Sequence, residues 1–417
     1  MSMTIQDDWS ASIPIGEINV AQPPLFERGL GGELLRRLRH EAPVHYCAAS
    51  EFGPYWSVTR YDDIKSIEMD HENFSSDHAL GGISISGEPG RPDVLPMFIS
   101  MDPPRHSQQR RAVMPAFSPD RLRQLSDMIR SQCEAILDAL PIGSEFDWVD
   151  RVSIELTAST LAMILGFPQE ERRQLIYWSR MMTALPGGPI VATMEEKIRI
   201  LRECFDRFTG IWHERRGSEP TGDLISLLAH GETTGSMPLN EVHGNVMLLI
   251  VAGNDTTRNS ISGSVIALDS HPDEYAKLRN DPQLVRGLPA EVIRWQTPVA
   301  HMRRTATRDV VLRNHQIHRG DKVVLWYLSA NRDEAVFEDP DRFWLERPNA
   351  ARHLSFGHGI HRCIGSRLAE MQVQILWEGI LRRFPSIEVA GEPTRTYSTF
   401  INGYDSLPVR IPSRYSN

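Results

Sequence analysis

The chain is 417 residues long, which sets a soft expectation of two to three domains. Hydrophobic residues make up 41% and charged residues 24%, proportions that exclude a disordered chain, a collagen and a coiled coil. The formal net charge of −9 argues against bulk nucleic-acid binding, which needs clustered positive charge.

The N-terminus, Met-Ser-Met-Thr-Ile-Gln-Asp-Asp, lacks a basic segment followed by an apolar core, so no signal peptide is expected. The longest near-continuous apolar run, Val246 to Gly253, is too short for a membrane helix. Together these predict a cytoplasmic protein without a membrane anchor. Residues 1–40 carry no readable pattern and are expected to be an N-terminal segment ahead of a single domain at 41–417. Tyr55-Trp-Ser-Val-Thr-Arg60 reads as a strand followed by a short helix. Gly81 to Pro96 is rich in Gly and Pro and predicts a mobile loop. From Ser118 to Leu140 the apolar positions Leu122, Leu125, Ile129, Cys133 and Ile136 keep helical spacing. Helical periodicity returns over 154–165, 195–212 and 239–269, the last followed by Pro272 as a stop. Strand-like runs come late, at 309–312, 322–327 and 407–411. The balance predicts a mainly α fold with a small β part and no domain seam.

Four segments break local rules. Phe356-Gly-His-Gly-Ile-His-Arg-Cys-Ile-Gly365 places three glycines around Cys363, just ahead of a predicted helix from Ser366. A helix N-terminus favours a thiolate. Fe–S clusters want four cysteines and structural zinc four ligands, whereas Cys47, Cys133, Cys204 and Cys363 stand far apart. A lone Cys metal ligand suits haem, and the other three cysteines read as core packing. In Leu248-Leu-Ile-Val-Ala-Gly-Asn-Asp-Thr-Thr257, Gly253 and Asp255 interrupt an apolar helix. Thr256 can bond back to the Ala252 carbonyl and loosen the helix there. A groove beside a carboxylate and a hydroxyl suits proton delivery. Glu291-Val-Ile-Arg294 puts opposite charges on one helix face, and Arg342 in Phe337-Glu-Asp-Pro-Asp-Arg-Phe343 adds a second arginine that can join them. In Asp102-Pro-Pro-Arg-His-Ser-Gln-Gln-Arg-Arg111, His106 and Arg110 form an i,i+4 pair able to present two donors to an anion.

In this order and spacing the four segments resemble the cytochrome P450 superfamily of haem-thiolate monooxygenases, over about residues 40 to 411. The resemblance implies a single triangular, mainly α fold, which replaces the domain count suggested by length. It implies haem b (iron protoporphyrin IX) with Cys363 as axial thiolate and Phe356 packed beside it. His106, Arg110, Arg304 and His361 then face the haem propionates, although many relatives have Arg where His361 stands. Ala252 and Gly253 form the groove over the haem. Asp255 and Thr256 resemble the acid–alcohol pair that relays protons during O2 activation. Glu291, Arg294 and Arg342 resemble a structural triad behind the haem. The resemblance leaves no room for a fused reductase, so it implies a separate [2Fe-2S] ferredoxin with its NAD(P)H-dependent reductase. Arg105, Arg111, Arg352, Arg362 and Arg367 are expected to form its docking face.

Gly253-Asn-Asp-Thr-Thr-Arg-Asn-Ser260, Ile293-Arg-Trp-Gln-Thr-Pro298 through His301-Met-Arg-Arg-Thr-Ala306, and Arg367-Leu-Ala-Glu-Met-Gln are similar to the bacterial alkane and fatty-acid terminal hydroxylases. Ala252 departs from that group, which usually has a second glycine there. The substrate is expected to be a small hydrophobic molecule, a medium-chain alkane or fatty acid, in a pocket built from 83–97, 248–252, 299–302 and Phe400-Ile401. A terpenoid or steroid side-chain hydroxylase is the alternative. A peroxygenase fits less well, because that type lacks the acid–alcohol pair. A haem sensor without turnover is the non-enzyme alternative.

Overall fold

The computed structural model describes residues 9–90 and 95–415. The signal-peptide reading on residues 1–8, and positions 91–94 of the expected pocket wall, lie outside the described residues. Among the described residues no helix is long and apolar enough to cross a membrane.

A mainly helical body packs against a small sheet at one side. The helix Leu239–Ser270 runs through the body; its 32 residues span about 48 Å at 1.5 Å per residue. It is buried on nearly every side, so most of its polar groups find partners within the protein. Ser260 and Ser262 donate to carbonyls one turn back at 3.0 and 3.1 Å, and Ser264 accepts from the Trp377 indole at 2.8 Å. Around it pack Val149–Ile154, Glu155–Leu165, Arg172–Thr183, Leu288–Gln296 and Ser366–Arg383. Pro119–Asp138 lies against Ser366–Arg383, its start capped by Ser118 Oγ accepting from the Arg121 amide.

The sheet orders its strands Val44–Cys47, Tyr55–Val58, Lys322–Leu325, Met302–Ala306, Phe74–Ser75. Only the Tyr55–Val58 to Lys322–Leu325 pair is parallel, with Trp56 opposite Val323. Antiparallel pairing of Met302–Ala306 with Lys322–Leu325, Arg304 opposite Val323, carries Arg304 toward the helical body. The expected strands at 309–312, 322–327 and 407–411 appear as Val310–Leu312, Lys322–Leu325 and Pro408–Arg410.

The N-terminal segment behaves otherwise than expected. Gly31–Glu41 is an amphipathic helix that runs across the anticipated boundary at residue 40. Ile18, Val20, Phe26, Leu34, Leu35 and Leu38 bury in one cluster with Tyr55 and Trp326 of the sheet region. Its Arg39 is fully buried and pairs with Glu334. Those apolar positions mix turns and short helices, so no single period marked them.

Candidate active site

The loop that carries Cys363 is set by its glycines. Gly357 and Gly359 have φ of 67° and 64°, left-handed values that a side chain resists. A Cβ on Gly359 would also collide with the Glu68 carbonyl oxygen. The turn closes with the Cys363 amide donating to the Phe356 carbonyl at 2.8 Å, and the helix Ser366–Arg383 begins three residues on. Cys47, Cys133 and Cys204 are buried core residues, as expected. Burial lifts the Cys133 thiol to about 12. Cys363 lies as deep in the protein, yet its surface is open because it faces a cavity of about 390 Å³. Burial raises its thiol pKa, while the Gly365 amide and the guanidinium groups of Arg110 and Arg362 pull it back toward the thiolate.

Cation and imidazole donors converge on the same cavity. His106 and Arg110 stand one turn apart on the helix Arg105–Val113, and both line it with Arg304, Phe356, His361 and Cys363. The rings of His106 and His361 lie 4.3 Å apart. All four of their nitrogens are buried without a hydrogen-bond partner in the protein. Burial, reinforced by Arg110, holds His106 down to about 4. Burial and Arg304 hold His361 well below the usual histidine range. A neutral imidazole has one N–H to donate. Buried donors of this kind are normally paired, so the cluster fits an anion received from the cavity. Arg304 donates to the Arg303 carbonyl at 2.8 Å and to Glu68 at 3.2 Å.

Glu68 was not legible in the sequence. It is buried, accepts from Arg304 and from the Tyr327 hydroxyl, and lines the cavity. Burial raises its pKa against the pull of Arg304.

The long helix passes the cavity without a break. Its predicted interruption is instead local. Thr256 Oγ1 donates back to the Ala252 carbonyl at 3.0 Å, and Ala252 and Thr256 both form cavity wall. Gly253 does not line the cavity. It faces the helix Glu155–Leu165, where a Cβ would stand 2.7 Å from Leu161 Cδ1. Its missing side chain permits a close helix contact. Asp255 also points away from the cavity. It pairs with Arg258 at 3.1 Å and accepts from Ser179 Oγ at 2.9 Å and Asn254 Nδ2 at 3.0 Å. Burial raises its pKa, opposed by Arg258.

One expectation is corrected. Glu291 accepts from Arg294 through two bonds of 2.7 Å, and its third partner is Arg347, at 3.1 and 3.2 Å. Arg342 is not the third member. Its side chain is half-exposed and approaches Glu274 at 3.7 Å; only its carbonyl joins, accepting from Arg294 and Arg347. Two arginines flank Trp344, and the chain turns so that the later one enters the core. The cluster binds the segment ahead of Phe356, with Trp344 N–H donating to Glu291 at 2.9 Å and Arg294 to the Asn331 and Pro340 carbonyls.

The expected pocket stretches supply Ile83–Ser86, Met97, Leu248, Val251, Val299, Met302, Phe400 and Ile401. The first part of the loop expected to be mobile, residues 81–87, is tied to the sheet. Arg303 donates to the Leu80 carbonyl at 2.9 Å and to those of Gly81, Ser84 and Gly87. Lys322 donates to the Ile85 carbonyl at 2.8 Å. Burial lowers Lys322 to about 8. Met182–Leu185 and Lys197 complete the wall and were not anticipated. All five expected docking arginines are exposed, and Arg105 also pairs with Glu241 at 3.1 Å.

One thiol at the cavity wall, beside four donors suited to anions, fits an iron porphyrin with its propionates. The family profile "Cytochrome P450" matches residues 50–401. Linalool 8-monooxygenase of Pseudomonas putida is 37% identical over 94% of this chain and 98% of its own length. Among solved structures, CYP153D17 from Sphingomonas sp. PAMC 26605 superposes with a TM-score of 0.88 at 47% identity, covering 94% of this chain and 98% of that one. Cytochrome P450-153 from Novosphingobium aromaticivorans gives a TM-score of 0.87 at 43% identity, covering 94% and 99%. The chain belongs to the cytochrome P450 family. It is a monooxygenase of the haem b-binding type.

Proposed function

We propose that this monooxygenase hydroxylates the terminal methyl carbon of a medium-chain alkane or fatty acid. The observation that carries the reading is the cavity itself: apolar side chains such as Ile83, Met97, Leu248, Val251, Val299 and Phe400 enclose the space that opens on Cys363. An alkyl chain gains roughly 0.8 kcal/mol per buried methylene there. The similarity to two CYP153 structures supports the linear-chain reading. The relative named linalool 8-monooxygenase supports the second reading, a terpenoid.

Cys363 would ligate the iron, and His106, Arg110, Arg304 and His361 would hold the propionates. Bound haem supplies the reductive activation of O2. The chain contributes position, dryness and protons. Thr256 Oγ1 stands at the cavity wall, where it can hand on a proton. Asp255 is the acid behind it, and its route to the cavity requires release from Arg258. General-acid steps of this kind contribute roughly 10²–10⁴-fold. Thr256→Ala is expected to lower product formed per NADH about tenfold or more, with the lost electrons recovered as hydrogen peroxide. Unchanged coupling would favour the peroxygenase reading.

The electron donor is proposed to be a separate [2Fe-2S] ferredoxin docking on Arg111, Arg352, Arg362 and Arg367. Exposed charge pairs of this sort steer association and are screened by salt. The ferredoxin-driven rate is expected to fall several-fold from low to physiological ionic strength, and a flat profile would refute the docking face.

The substrate reading is tested by titrating the ferric holoenzyme with linear alkanes, fatty acids, terpene alcohols and sterols, following the spin state. A shift to high spin with linear compounds supports it. A response confined to ring compounds overturns it.

A further inference from the structure

One ammonium interrupts the apolar wall. Lys197 lies in the first turn of the helix Met194–Arg216, half-buried, and reaches the cavity. Its Nζ donates to the Ala184 carbonyl at 2.7 Å and the Met182 carbonyl at 3.1 Å, where the helix Arg172–Thr183 ends. An ammonium has three donors, so one remains. Among the described residues no carboxylate pairs with it. Its neighbours Glu195 and Glu196 are exposed, and Glu196 turns back to the Ala192 amide at 3.3 Å. No hydrogen bond joins Lys197 to His106, Arg110, Arg304 or His361, so it stands outside the propionate set. Burial lowers its pKa with no anion to oppose it.

A structural role accounts for two of the donors, because lysines commonly cap the last carbonyls of a helix. It does not account for the cavity-facing position or for the lack of a counter-charge, which is unfavourable where water is scarce. A ligand carboxylate would satisfy both. An alkane offers nothing to this group, and an ester offers only a neutral acceptor. Holding a chain by its acid end would leave the methyl end for the oxidising centre.

We infer that Lys197 is a specificity-determining residue that binds the carboxylate of a fatty-acid substrate. The inference rests on the linear-chain reading above and narrows it from alkanes to acids. A charge-assisted hydrogen bond of this kind strengthens binding on the order of tenfold or more.

The test compares the ferric holoenzyme with its Lys197→Met and Lys197→Arg variants, titrated at pH 7.5 with dodecanoate, methyl dodecanoate and decane. In the parent, dodecanoate is expected to bind about tenfold or more tightly than its ester. Lys197→Met should erase that ratio and leave the ester and decane constants within about twofold, which also shows that the cavity is intact; Lys197→Arg should retain most of it. A ratio unchanged in Lys197→Met overturns the inference while the linear-chain reading stands. Equal weakening of all three ligands assigns Lys197 a purely structural role and also overturns it. If none of the three perturbs the spin state of the parent, the linear-chain reading itself fails.

Discussion

Cys363→Ser is expected to yield a protein that still takes up haem but loses the strongly red-shifted carbon-monoxide band of a thiolate ligand. The donors His106, Arg110, Arg304 and His361 are untouched by the change, so cofactor binding and thiolate ligation separate. Serine is nearly isosteric and leaves the turn intact, because its amide can still donate to the Phe356 carbonyl as that of Cys363 does. What it removes is the sulfur proposed to ligate the iron, which would supply electron density there. Ferredoxin-driven hydroxylation should fall by more than about a thousandfold, a loss of roughly 4 kcal/mol in transition-state stabilisation. The three other cysteines are buried in the core and cannot substitute. A variant that kept the parental spectrum would place the ligand elsewhere and remove the basis of the proposed site.

How much of this was legible beforehand depended on whether a residue's role is local. Cys363 and its glycines were readable because the turn that presents the sulfur is built within ten residues. His106 and Arg110 were readable as an i,i+4 pair on one helix, and the structure places both on the cavity. Thr256 was readable from its back-bond to Ala252, which the structure contains at 3.0 Å. Gly253 and Asp255 share that motif, but one turn of helix distributes its residues around the axis. Of Ala252, Gly253, Asp255 and Thr256, the first and last line the cavity, while Gly253 meets Leu161 and Asp255 meets Ser179. Roles created by distant packing were not legible. Glu68 meets Arg304 and Tyr327 only because two helices and a strand converge. Arg303 grips the 80–87 loop across more than two hundred residues of sequence, so a Gly-rich stretch that looked free is fixed. The amphipathic helix Gly31–Glu41 was missed because it is short and its neighbours share no period. Lys197 gave no sign at all, since a single lysine at the start of a helix ordinarily marks solvent.

The buried Glu291–Arg294–Arg347 cluster carries the second large effect. Glu291 and Arg294 are both 0% exposed and Arg347 is 1% exposed, so removing one partner leaves charge stranded in the core. Glu291→Gln keeps the shape but strips the counter-charge from two buried guanidinium groups, at a cost of about 3–5 kcal/mol. Against the 5–15 kcal/mol typical of whole-protein stability, that should lower the thermal midpoint sharply and cut the yield of haem-loaded protein. Arg347→Met removes one of the two cations and unfastens the Glu338, Asp339 and Arg342 carbonyls. It should cost at least about 2 kcal/mol, because buried acceptors lose their donors. Arg342→Met should fall within about 0.5 kcal/mol of the parent, as surface changes usually do. The side chain of Arg342 is half-exposed, and its structural contribution is a backbone carbonyl that methionine also carries. Unfolding of the three variants, followed by the haem absorbance and by far-ultraviolet circular dichroism, ranks them directly. A loss in Arg342→Met equal to that in Arg347→Met would restore the sequence-based triad and contradict the packing described above.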